Sequence, residues 1–172
     1  MPQRSPTRPP VRLYTPEERA RRDATVWTTV QGALAPAQFL ACAVSVALVA
    51  RYLWTGEGYG AATASILVKT LFLYVIMVTG AIWEKVVFGR WLFAPAFWWE
   101  DAFSMIVIAL HTAYLWALFS GALKPVDLMY LALAAYAAYA INAGQFLWKL
   151  RMARLEGSGD SAGAPAGREA AA

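Results

Sequence analysis

Four long apolar runs decide what this chain can fold into. They cover residues 33–54, 61–83, 102–119 and 126–148. Each is close to the roughly 20 residues that an α-helix needs to cross about 30 Å of hydrocarbon. The runs are continuous and do not alternate, which sets membrane strands aside. Apolar residues make up 59% of the 172, mean hydropathy is +0.44, and only 15% of residues are charged. A soluble domain of this size could not hide that much apolar surface. The expected fold is therefore an all-α membrane protein, a four-transmembrane-helix bundle.

The formal net charge of +4 does not point to nucleic acid. The basic residues flank the apolar runs and form no separate basic domain. The one cysteine, Cys42, lies inside the first run. It cannot form an intramolecular disulfide or a cysteine-based metal site, and it reads as a small buried side chain.

The ends differ from the middle. Residues 1–30 read as a basic N-terminus followed by an interfacial helix. The first twelve, "MPQRSPTRPPVR", are rich in proline and arginine and expected to be disordered. In "TPEERARRDA", Thr15 is an N-cap, Pro16 sits at N1, and Glu18 completes a capping box. The arginines of that helix suit an anionic lipid surface. Residues 31–155 form the membrane domain, and residues 156–172 a low-complexity, disordered tail. The first apolar run is too long and too far from the start for a signal peptide. Pro36 falls in the first turns of that run, where a missing N–H does little harm.

Orientation follows from the basic residues. Arg4, Arg8, Arg12, Arg19, Arg21 and Arg22 precede the first run. Lys85 and Arg90 lie between the second and third. Lys149, Arg151, Arg154 and Arg168 follow the fourth. That places twelve on one side, against Arg51 and Lys124 on the other, with Lys69 inside the second run. The split predicts cytoplasmic termini and a cytoplasmic connection between the second and third runs.

That connection, "GAIWEKVVFGRWLFAPAFWWED", is crowded with charges and aromatics. Tryptophan and phenylalanine suit the headgroup zone, and an aromatic belt with snorkelling charges is one reading. Glu84, Glu100 and Asp101 fit it poorly, because interface anchors are usually positive. Helical phase gives these residues company. Glu100 and His111 are about 20° apart around the third helix, with Ser104 between them. Lys69, Ile76, Gly80 and Trp83 share a stripe on the second. Gln31 and Gln38 align seven apart, and Asn142 and Gln145 lie three apart. The helices would thus direct a polar-lined pocket toward the cytoplasm.

Lys69 and His111 both fall near mid-bilayer, where ionisable residues are functional-site candidates. The alternatives are a snorkelling Lys69 and a His111 that hydrogen-bonds a neighbouring helix. A single histidine excludes a bis-histidine haem site within one chain. No P-loop, nucleotide glycine loop or HExxH motif is present.

The segments "LYTPEERARRDA", "WTTVQGALAPAQF", "VKTLFLYVIMVTGAIWEKVVFGRWLFAPAFWWEDAFSMIVIALHTAYL" and "INAGQFLWK" resemble the vinyl bacteriochlorophyllide hydratases of phototrophic bacteria. The similarity runs from about Leu13 to Leu155. The resemblance implies a hydro-lyase of bacteriochlorophyll a biosynthesis. Such an enzyme adds water across the C3-vinyl group of a chlorophyllide to give the 3-(1-hydroxyethyl) derivative. It also implies a multi-pass protein of the bacterial inner, intracytoplasmic photosynthetic membrane. Its partners would be chlorophyllide, water, membrane lipids and other pigment-biosynthesis enzymes.

The chemistry indicates roles. Protonation of the terminal vinyl carbon leaves a cation beside the ring, where water attacks. This needs a general acid, a base or orienter for water, and a negative surrounding. Glu84, Glu100, Asp101 and His111 are the catalytic candidates. Lys85 and Arg90 are candidate partners for the pigment's propionate. Trp83 and Trp98 would cover ring faces, and Ser104, Asn142 and Gln38 would line the substrate site. His111 is alternatively an axial ligand to the substrate's magnesium. In that case Glu84, or Ser104 through water, reaches the vinyl better than Glu100, which lies about 16 Å along the helix. Hydration exchanges no electrons, so no cofactor is expected. A non-catalytic tetrapyrrole-binding or pigment-assembly protein would use the same pocket. A transporter would need a polar path through both halves.

Overall fold

The computed structural model describes residues 13–162, and all regular structure among them is helical. The order is α1 (Pro16–Ala24), α2 (Val26–Thr55), α3 (Tyr59–Phe88), α4 (Trp98–Ser120) and α5 (Pro125–Ala162). Four of these, α2 to α5, are long and apolar enough to cross a membrane. The disorder expected for residues 1–12 lies outside the described residues. The helix of α5 continues to Ala162, past the position where the sequence reading begins the tail.

α1 forms as its sequence dictates. The Thr15 hydroxyl accepts from Glu18 N–H at 3.2 Å, and the Glu18 carboxylate accepts from Thr15 N–H at 2.8 Å. Two of the orphan donors at the helix start are thereby met. The chain breaks helix at Thr25, which caps α2 by accepting from Trp27 N–H at 3.4 Å. α2 therefore starts well before the apolar run that marks its membrane crossing. This moves Pro36 from the first turns to the helix interior. Its missing N–H leaves the Gly32 carbonyl without its usual partner, a fault that membrane helices tolerate when neighbours compensate.

α2 and α3 have 30 residues each. At 1.5 Å per residue each spans about 45 Å, longer than the hydrocarbon. Glu84 and Trp83 lie in the last turns of α3. α2 packs along α3 and α4 along α5; the two hairpins meet mainly through α2 and α5. The start of α2, the C-terminal half of α5 and the 89–97 connection lie at one end of the bundle, here termed the terminal end. The turns at Gly56–Gly58 and Gly121–Lys124 lie at the opposite end.

Three apolar clusters fill the interior. Val49, Ile66, Tyr114, Leu128 and Met129 pack the opposite end. Leu73, Val107 and Tyr139 fill the middle. Tyr14, Val87 and Phe97 seal the terminal end, where α1 lies against α3. Large apolar side chains such as Leu40, Val68, Leu71, Ile106 and Trp116 face outward, as a lipid surround requires.

Candidate functional site

The terminal end holds the carboxylates. α3 closes at Gly89, whose φ of 78° lets the chain turn back and whose N–H bonds the Lys85 carbonyl at 3.1 Å. The connection then takes a second left-handed step at Phe93, φ 58°. A side chain makes that conformation unfavourable by roughly 1–2 kcal/mol, so something must hold it. Asp101 does so by accepting from Phe93 N–H at 2.7 Å. Glu84 accepts from the next amide, Ala94 N–H, at 3.2 Å. Both carboxyls are buried, and they face one another within hydrogen-bonding reach. Ionised carboxylates only accept, so one proton between them turns a repulsion into a hydrogen bond.

Glu100 has different company. Its carboxylate forms an ion pair with Lys149 at 2.6 Å. The Lys149 ammonium also donates to the Ala96 carbonyl and lies 5.1 Å from the centre of the Phe97 ring. Asn142 donates to the Glu100 carbonyl at 2.9 Å, and the Ser104 hydroxyl reaches that carbonyl at 2.8 Å and the Asn142 oxygen at 3.2 Å. The polar stripe of α4 is thus real, and α5 supplies its partners from the two positions 142 and 149. Around it stand Tyr14, Trp83, Phe88, Phe97 and Phe146, with Phe97 and Phe146 stacked at 5.8 Å. α1 is tied over this cluster by Arg21, which donates to the Val87 carbonyl at 2.8 Å.

Other sequence candidates stand farther out. Arg90 is exposed, and exposed Lys85 donates to the Gly89 carbonyl at 2.9 Å. Trp98 is 46% exposed and packs edge-on against Trp99. Trp83 is half-buried, and its ring N–H meets the Thr28 hydroxyl at 3.0 Å.

A second polar centre lies in the middle of the bundle. Lys69 is fully buried, so it does not snorkel. Its amine meets His111 Nε2 at 2.8 Å, and His111 Nδ1 meets the Val107 carbonyl at 2.8 Å. The carbonyl can only accept, so Nδ1 carries the proton and Nε2 accepts from Lys69. Both ring nitrogens are occupied; binding magnesium through Nε2 would require Lys69 to move aside. The Lys69 nitrogen also lies 4.1 Å from the Tyr139 ring centre and 5.4 Å from that of Tyr136. The Tyr136 hydroxyl bonds Ser45 at 2.6 Å, and Ser45 bonds Ser65 at 2.8 Å. Gln38 is buried on α2 beside Tyr139.

A recess of about 400 Å³ lies on the outer surface between α2 and α3, lined by Ala37, Leu40, Ala41, Val44, Ser65, Val68 and Phe72. Among the described residues, no group of three or more His, Cys, Asp or Glu side chains is placed to hold a metal ion.

Sequence reasoning did not single out Lys149, Tyr136 or Tyr139 as site residues. The signal for Lys149 was its spacing of seven from Asn142, which puts both on one face of α5. The tyrosines gave none, since tyrosine in an apolar helix ordinarily reads as packing.

Fold and site together define an α-helical membrane protein whose interior carries buried carboxylates and a buried lysine–histidine pair. More narrowly, the chain belongs to the 2-vinyl bacteriochlorophyllide hydratase family, whose sequence model matches residues 14–152. It is 72% identical over 152 residues to the 2-vinyl bacteriochlorophyllide hydratase of Rhodobacter capsulatus, covering 88% of each chain. It is 73% identical over 153 residues to the protein of that name from Cereibacter sphaeroides, covering 88% of this chain and 94% of the relative. No solved structure matches the chain.

Proposed function

We propose that this chain is a hydro-lyase of bacteriochlorophyll synthesis that adds water across the C3-vinyl group of chlorophyllide a or a related (bacterio)chlorophyllide. The carrying observation is identity above 70% to two proteins named as hydratases, along nearly their whole length. That record disfavours a purely pigment-carrying role.

The geometry supports a division of labour. The facing pair Glu84 and Asp101 supplies the proton to the terminal vinyl carbon. The cation forms on the carbon next to the ring. Glu100 stabilises it from a fixed position, since the Lys149 ion pair holds its carboxylate. Water bound near Ser104 and Asn142 attacks the cation and returns one proton to the pair. The sum is one water added and no electrons exchanged, so we expect no dissociable cofactor. The test is direct: purified protein with chlorophyllide a and buffer alone should convert the vinyl pigment to its 3-(1-hydroxyethyl) derivative. An unchanged vinyl pigment, or a product formed only with nicotinamide or flavin added, would remove this reading.

Placement follows from charge. We place the terminal end in the cytoplasm and the protein in the bacterial inner membrane, a reading supported by the basic residues flanking the helices on that side. A reporter active only in the cytoplasm should work when fused after Leu155 or inserted at Gly89, and stay silent at Gly58. The reverse pattern would invert the bundle and place the carboxylates on the wrong face.

A further inference from the structure

Lys69 and its partner His111 are buried, ionisable, and left without a task by the hydration chemistry. An ammonium deep in a bundle needs an anion or it is costly to keep there. Among the described residues no carboxylate forms an ion pair with it; its contacts are one imidazole nitrogen and the faces of Tyr139 and Tyr136. An ammonium has three donors, and His111 takes only one. The surrounding surfaces are neutral, so an anion brought to an ammonium here would meet it in a setting where Coulomb attraction is strong.

Two placements suggest what completes it. The first is the recess between α2 and α3. Val68, next to Lys69, lines it, and so does Ser65. Ser65 connects through Ser45 to Tyr136, whose ring stands beside the Lys69 nitrogen. The lysine is itself fully buried, and it is linked to this outer recess through its chain neighbour Val68 and through the Ser65–Ser45–Tyr136 hydrogen bonds. The second is its height. His111 is ten residues from Asp101 along α4, or about 15 Å. That rise is on the scale of the reach from a ring-edge vinyl group to the end of an extended propionate arm on the neighbouring ring of a flat macrocycle.

We propose that Lys69, held by His111 and the two tyrosine rings, is the receptor for the free carboxylate of the tetrapyrrole substrate, and so directs its vinyl edge toward the Glu84–Asp101 pair. This rests on the hydratase reading for the identity of the ligand. Lys85 and Arg90 are poorer receptors: both are exposed, and ion pairs in water contribute little.

The experiment compares chlorophyllide a with the methyl ester formed at its propionate. Affinities are read from the pigment's absorbance shift on titration with detergent-solubilised protein. The native protein should bind the free acid about 10–100-fold more tightly than the ester, the range for a buried hydrogen bond to a charged group. Lys69→Met should bring that ratio close to one by weakening the acid, and Lys69→Arg should keep most of it. A native protein that binds both pigments equally, or a Lys69→Met protein that keeps the full preference, overturns the proposal. If Lys69→Met fails to fold, the native ratio and Lys69→Arg still decide: no preference, or a preference abolished by arginine, overturns it. Turnover by the native protein is scored separately. If it hydrates neither pigment yet prefers the acid, the hydratase reading fails and the receptor stands. If it hydrates both and binds both equally, the receptor fails and the hydratase reading stands.

Discussion

Glu84→Gln is expected to slow vinyl hydration by about 10²–10⁴-fold, the usual contribution of a positioned general acid, while the protein still inserts and binds pigment. The structure makes this substitution a clean probe. Glu84 accepts from Ala94 N–H, and a glutamine oxygen can accept the same bond. It faces Asp101, and the glutamine NH₂ can donate there as a protonated carboxyl would. Shape and hydrogen bonding survive; only the transferable proton is lost. Asp101→Asn should behave alike, because the two groups act as one unit and effects within a unit do not add. The double variant should therefore be little slower than either single one. Rates near native for both single variants would reduce Glu84 and Asp101 to stitches that hold the left-handed Phe93 step. Loss of pigment binding in step with rate would point to a folding defect. Single-turnover rates and pigment titrations on the same preparations separate these outcomes.

The parts of this molecule that depend on periodicity were legible in the sequence. Run length gave four membrane helices, and the Thr15–Glu18 spacing gave the α1 cap. A 100° step per residue put Glu100, Ser104 and His111 on one face, and all three are buried. The parts that depend on neighbours across the bundle were not legible. Lys69 and His111 were each placed near mid-bilayer, yet nothing in either run states that their side chains meet. The start of α2 was missed because hydropathy marks where lipid begins, whereas the Thr25 cap marks where helix begins. Pro36 was consequently read too near an end. Lys149 was counted as a basic flank, its ordinary role in orienting a membrane protein. Only the fold shows that this flank folds back on Glu100. The aromatics divide in the same way: residue type fits Trp83 and Trp98 equally to a belt or a binding wall. Burial separates them, with Trp83 in the inner cluster and Trp98 turned outward.

Lys149→Met should destabilise the bundle by about 3 kcal/mol, the lower end of the range for breaking a buried ion pair by removing one partner. The lower end applies because the Lys149 side chain is 25% exposed, against 9% for Glu100. The lysine joins three things at once: the Glu100 carboxylate, the Ala96 carbonyl and the Phe97 ring. Methionine fills similar volume and keeps contact with the aromatic ring. What remains is a buried carboxylate with no counter-charge. Adding Glu100→Gln to Lys149→Met removes that charge and should recover most of the loss, because a neutral amide tolerates burial better than an orphaned anion. Glu100→Gln alone leaves Lys149 able to reach water, so it should cost less than Lys149→Met. Unfolding of detergent-solubilised protein, followed by helical circular dichroism against added SDS, orders the four proteins. If the double variant is no more stable than Lys149→Met, the lysine acts through packing, and Glu100 is not the fixed anion that the hydration scheme needs. Activity supplies the complementary readout. The double variant should fold and bind pigment yet remain slow, since the cation formed beside the ring would then have no charge to meet.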